Sequence, residues 1–206
     1  MARTSIALSV ATLLFIAVGC GSSTPAAPSP TLPATTLHAE VIDPAGDSPS
    51  DPRVAVSSDL VHATADVTDG NITFVVQFVP GTLDRQMTRV VILLDTDQSA
   101  ATGIRQNDGM GADYALELVS SQATISKANP VTCAASQGCY DVVRSEQVTA
   151  IQDGMQITMS LANLGNASGR MTFKLHTYVT IIVGQTVTPI LFDSMPDDLL
   201  PPGRLQ

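Results

Sequence analysis

The sequence predicts an all-β fold, a single sandwich of mostly antiparallel strands, on three observations. Short runs rich in Val, Ile and Thr alternate apolar with polar residues, the period of a strand with one buried face. Turn residues close these runs at regular spacing, as in sandwiches built from many short strands. No stretch sustains the apolar period of a helix. One run breaks the alternation: Val90-Val91-Ile92-Leu93-Leu94 is continuously aliphatic and stops at Asp95-Thr96-Asp97-Gln98-Ser99. Too short for a helix, it reads as the core strand, buried on both faces. Asp95 and Asp97 stand two residues apart, so on extended backbone their side chains leave on the same side. Two carboxylates so placed repel unless a cation, an arginine or several N–H donors offset them.

Taken from the N-terminus, residues 1–19 read as a targeting segment. Arg3 supplies a positive start, and residues 6–18 form an apolar core too short for a comfortable membrane span. The segment closes on Ala17-Val18-Gly19-Cys20, which resembles the lipobox of bacterial lipoproteins, where the signal is cut before a cysteine that carries a diacylglyceryl group. The resemblance implies lipid attachment at Cys20, a membrane partner through that anchor, and a place in the bacterial cell envelope facing outside the cytoplasm. The alternative is an ordinary secretory signal with an incidental cysteine. Residues 20–36 are rich in Pro, Ser and Thr, cannot pack a core and favour extended backbone, so they read as a tether. Residues 37–206 remain, a length that suits one domain with a sizeable core.

The charge balance is acidic, with 10 Lys and Arg against 19 Asp and Glu and a formal net charge of −9. That argues against nucleic acid as a partner and against an electrostatic grip on anionic lipid. If Cys20 is acylated, Cys133 and Cys139 are left with one possible connectivity, in an exported setting that permits a disulfide. A redox or metal role for the pair is the lesser alternative, because the spacing is not Cys-x-x-Cys and no histidine lies near.

The strands follow in order. Residues 37–42 make the first, and Asp43-Pro44-Ala45-Gly46-Asp47-Ser48-Pro49-Ser50-Asp51-Pro52 makes a loop through its prolines and aspartates. Val61, Ala63, Ala65 and Val67 share a face; Asp69-Gly70-Asn71 then turns the chain so that Ile72, Phe74, Val76 and Phe78 share the next, a hairpin. The core strand spans residues 89–95, and residues 114–119 and 123–126 alternate again. After the cysteine loop come two separate short strands, 141–144 and 148–152. Asp153-Gly154 turns the second into residues 155–161, a strong hairpin signal. A turn pivots on Leu164-Gly165-Asn166, residues 171–183 form a long strand, and Gly184-Gln185 turns it into residues 187–192. The chain finishes on Asp193-Ser194-Met195-Pro196-Asp197-Asp198 and a proline-containing tail.

The chemistry rests on aspartates. Calcium takes six to eight oxygens and accepts carboxylates from irregular loops; Asp95, Asp97 and Asp113, with Asp43 and Asp47 if the first loop folds back, can supply them. An EF-hand is excluded, because Ala100 and Gln106 stand where its glycine and last glutamate belong. The alternative is that these aspartates make strand-end turns by accepting from nearby N–H groups. Phe74, Phe78, Phe173 and Phe192 lie in strand contexts and read as core, which leaves Tyr140 beside the cysteine loop as the exposed aromatic for a ligand. The chain has no Gly-x-Ser-x-Gly elbow and no His-Glu-x-x-His helix, and its histidines His38, His62 and His176 are scattered, so it reads as non-catalytic.

Asp43-Pro44-Ala45-Gly46-Asp47, Asp59-Leu60, Leu94-Asp95-Thr96-Asp97 with Thr102-Gly103, Gly111-Ala112-Asp113-Tyr114 and Asp193-Ser194-Met195-Pro196-Asp197 together resemble the DOMON-like β-sandwiches. That group includes the family-nine carbohydrate-binding modules. The resemblance implies a jelly-roll-like sandwich that binds sugar or, in some branches, haem, sometimes with structural calcium. Sugar-binding members usually present aromatic clamps, often tryptophan, and this chain has no Trp. The expected function is a lipid-anchored, exported binding or accessory module, calcium-stabilised, whose partner is a glycan or another envelope protein. A haem-binding electron-transfer module and a purely structural envelope lipoprotein are the alternatives.

Overall fold

Alternation in the sequence becomes alternation of burial. The computed structural model describes residues 36–49, 51–54, 57–134, 139–165, 168–183, 186–197 and 200–206. The signal segment, Cys20, the tether up to residue 35, Asn166 and the Gly184-Gln185 turn lie outside the described residues. In β1 (Leu37–Ile42) every second residue is buried. β2 (Leu60–Thr68) and β3 (Asn71–Phe78) form the expected hairpin, with Asp69 and Gly70 both at positive φ, as a two-residue turn requires. One face differs from the expectation. A bulge between Leu60 and His62 shifts the register, so Leu60 is buried in place of Val61, while Ala63, Ala65 and Val67 face inward as predicted.

The core strand is β4 (Thr88–Asp95). Val90, Ile92 and Leu94 enter the main core, and Leu93 is buried on the opposite face against Met110 and Ala112. The cover on that second face comes from a small hairpin that the alternation did not reveal, β5 (Ile104–Arg105) with β6 (Gly111–Ala112). Two glycines let it seat closely. A Cβ on Gly103, which sits at φ 66°, would collide with the Ala112 carbonyl, and one on Gly111 with the carbonyl oxygens of Thr102 and Ser99.

β7 (Tyr114–Val119) and β8 (Gln122–Ala128) follow, then a short helix, α1 (Pro130–Ala134), carrying Cys133, which is disulfide-bonded to Cys139. The two strands expected after it are one, β9 (Tyr140–Ile151). Its first two thirds pair with β8, and Val148–Ile151 pair with β10 (Gly154–Ser160), so a single strand carries the chain from one layer to the other. The Asp-Gly turn also sits one residue earlier than its signal. Asp153 takes the positive φ, whereas Gly154 is already paired with Ile151 and is needed because a Cβ there would strike the Val76 carbonyl.

β11 (Met171–Val183) matches its prediction. β12 (Thr186–Met195) runs three residues beyond the predicted end, because Asp193, Ser194 and Met195 continue to pair with Thr177, His176 and Leu175. The proline-containing tail adds a further strand, β13 (Gly203–Leu205), which pairs with residues 171–173. All pairings are antiparallel along the path β1-β2-β3-β10-β9-β8-β7-β4-β11-β12, with β13 on β11. The sheet curls until β1 lies against β13 and β12 against β2. Between the layers Phe74 of β3 meets Phe173 of β11 edge to face at 5.7 Å, and all four phenylalanines of the strands are buried, as expected of core residues.

Candidate functional site

Among the described residues, three features carry polar chemistry: an aspartate trio at the end of β4, a second aspartate cluster near β12, and a groove on the outer face of the sheet. Asp95 ends β4, Asp97 lies in the loop after it and Asp113 stands between β6 and β7; their carboxylate oxygens come within 4.8 Å of one another. Most of the named contacts are to the loop itself. The Ser99 N–H donates to Asp95 at 3.0 Å and to Asp97 at 2.9 Å, the Thr102 hydroxyl donates to Asp97 at 2.9 Å, and the Thr96 N–H and hydroxyl donate to Asp113, each at 2.9 Å. The trio therefore folds residues 96–113 over β4 as strand-end turns do. Burial raises the Asp95 pKa above the usual carboxylate value, opposed by the Ser99 N–H and reinforced by Asp113 and Asp97.

Asp43 and Asp47 do not fold back onto this trio. They gather with Asp59, Asp193 and Asp197 in two overlapping triads, Asp43-Asp47-Asp197 and Asp47-Asp59-Asp193, each with ligand atoms within 4.8 Å. The reason is the sheet. Asp95 pairs with Thr172 and Asp193 with Thr177, so the two clusters stand about 17 Å apart along β11 at the rise of an antiparallel strand. The Gly46 N–H reaches Asp59 at 2.8 Å, while the Leu60 N–H and Ser48 hydroxyl reach Asp193 at 2.8 and 3.0 Å. Asp43 is only 5% exposed, and burial followed by the charges of Asp193, Asp47, Asp197 and Asp59 pushes it up to about 7.

The groove lies on the outer face of the layer that contains β4. Alternate residues of neighbouring strands floor it, Val91 and Leu93 of β4, Ala115 and Glu117 of β7, His176 and Tyr178 of β11. Ile104 and Gln106 of the β5–β6 hairpin and Cys139-Tyr140 of the disulfide loop also line it, around a volume of about 360 Å³. An adjoining cavity of about 190 Å³ shares Gln106, His176 and Tyr178 and reaches the buried pair of Lys174 and Asp108, 3.6 Å apart. Tyr140, expected to be exposed, lines this concave surface but is half-buried. Its hydroxyl is buried without a hydrogen-bond partner, and burial, then the charge of Asp113, pushes its pKa up to about 12. Sequence reasoning missed Tyr178, although the alternation Lys174, His176, Tyr178 along a long strand marks one outward face.

No protein family, curated protein or solved structure matches this chain.

Proposed function

We propose that this protein is a non-catalytic binding or accessory module of the cell envelope, held to a membrane through lipid on Cys20, and that its ligand is a carbohydrate taken into the outer groove. The observation that carries this reading is the groove itself. A concave surface of about 360 Å³ sets Tyr140 and Tyr178 among hydrogen-bonding Glu117, Gln106 and Ser126 on a rigid sheet. Ligand sites combine apolar and aromatic walls with a few placed polar groups, and a sugar has a C–H face for a ring and hydroxyls for carboxylate and amide. Kinship with the DOMON-like sandwiches and structural calcium at the aspartate clusters belong to the same reading.

Glycan-array screening followed by calorimetric titration tests it. The native chain should retain at least one glycan, and Tyr178→Ala should weaken that binding tenfold or more, about 1.4 kcal/mol. An array with no retained glycan would favour a structural lipoprotein, and a Soret band in the purified protein would favour haem binding.

A further inference from the structure

The hairpin of β11 and β12 reaches past its neighbour. β4 pairs with β11 as far as Val179, whereas β11 and β12 go on pairing to Val183 and Thr186. Residues 175–192 contain no Asp, Glu, Lys or Arg, although the chain is acidic overall. On one face of the hairpin, directly opposite residues form rows: Tyr178 with Leu191, Thr180 with Pro189, and Ile182 with Val187. Ile182 is 60% exposed, Val187 63% and Leu191 43%. The strip starts at the smaller cavity beside the outer groove, which Tyr178 and Leu191 line, and runs away from it towards the hairpin tip. Exposed aliphatics gathered on one uncharged face have the composition of an interface core and not of an ordinary solvent face.

Charge and the course of the chain indicate what covers it. A formal net charge of −9 sets copies of this chain against one another wherever acidic surfaces meet, and an uncharged strip is where that repulsion is least. Leu37, which opens β1, sits beside Gly169, just before β11. The chain therefore enters the domain at the opposite end of β11 from the hairpin tip, about 40 Å away at the rise of an antiparallel strand. Copies tethered to one membrane through residues 20–36 thus carry their strips at the same far end. A two-fold axis along the strands keeps both tips pointing the same way and lays one strip face to face on the other. We propose that the outer face of the β11–β12 hairpin is a homodimer interface, in which Ile182, Val187, Pro189 and Leu191 of one copy pack on the same residues of a second. A strip two strands wide is smaller than a stable interface needs, so the dimer is weak in dilute solution and is favoured where tethering raises the local concentration. The shared orientation and that enrichment rest on the lipid anchor proposed above; the association itself depends neither on the anchor nor on what the outer groove binds.

The test is the oligomeric state of residues 34–206, a compact unit that holds every described strand and the main core. Sedimentation velocity over a range of protein concentrations should show a monomer–dimer equilibrium with a dissociation constant between about 1 μM and 1 mM. Ile182→Asp and Val187→Asp each add a carboxylate to both sides of the interface and should raise that constant about tenfold or more. Both positions are exposed, so neither variant should lower the melting temperature. Val142→Asp, at an exposed aliphatic of β9, should leave association unchanged. Should an aspartate variant fail to fold, Val187→Thr, which keeps the branched shape, carries the test by weakening association. A monomer at every concentration up to about 1 mM overturns the proposal. So does association that survives both aspartate variants, that Val142→Asp weakens equally, or that grows past two copies, since an isologous face closes at a dimer.

Discussion

His62 ties the outer face of β2 to both of its neighbours. Its Nδ1 meets the Gln77 amide oxygen of β3 at 2.7 Å and its Nε2 meets the Glu40 carboxylate of β1 at 2.6 Å. A ring with an acceptor on each nitrogen favours the imidazolium, which has two donors. The Gln77 contact raises the His62 pKa above 6.5, burial opposes it, and Glu40 adds to the rise. Because the folded value exceeds the unfolded one, the stabilisation is complete below about pH 6.5 and is lost as pH rises through the folded value. Urea unfolding should therefore show the stability gap between the native chain and His62→Asn narrowing from about pH 5.5 to about pH 8. A gap constant with pH would contradict this account. The contact itself was not visible beforehand: the alternation put His62 on the polar face of its strand, but only strand pairing put Gln77 and Glu40 beside it.

Among the elements, the β5–β6 hairpin decides whether β4 is buried on its second face. Residues 90–94 announced a strand buried on both faces; on the second face this holds at Leu93, while Val91 is only partly buried in the groove floor, and the hairpin that covers Leu93 has two-residue strands too short to show a period. What the sequence did contain were Gly103 and Gly111, where side chains would collide with backbone carbonyls. Gly103→Ala, which also places a side chain at positive φ, should cost about 1 kcal/mol or more, measured by urea unfolding. Wild-type stability in that variant would mean that the hairpin is not seated as described. β9 teaches the converse lesson. Residues 145–147 are Ser-Glu-Gln on a mostly exposed stretch, so the apolar signal lapses there and one strand reads as two, although the backbone continues to pair throughout.

At the scale of the whole molecule, the tail closes the sheet. Leu205 is fully buried in the main core, and a Cβ on Gly203 would meet the side chains of Phe173 and Val41, so β13 packs where β1 and β11 meet. Leu205→Ala should cost about 2–5 kcal/mol, a large part of a domain's usual stability, and lower the melting temperature accordingly. A change under about 0.5 kcal/mol would show that the tail is not part of the core. The sequence by itself determined the all-β class, the β2–β3 and β9–β10 hairpins, the inward faces of most strands and the Asp95-Asp97 pair. These follow from alternation and turn chemistry, which act between residues close together in the chain. Only the tertiary structure decided that Asp43 meets Asp197 and not Asp95, that Tyr178 faces the groove with Tyr140, and that β9 joins the two layers. Those outcomes depend on register between strands far apart in sequence, where a shift of one residue turns every side chain to the other face.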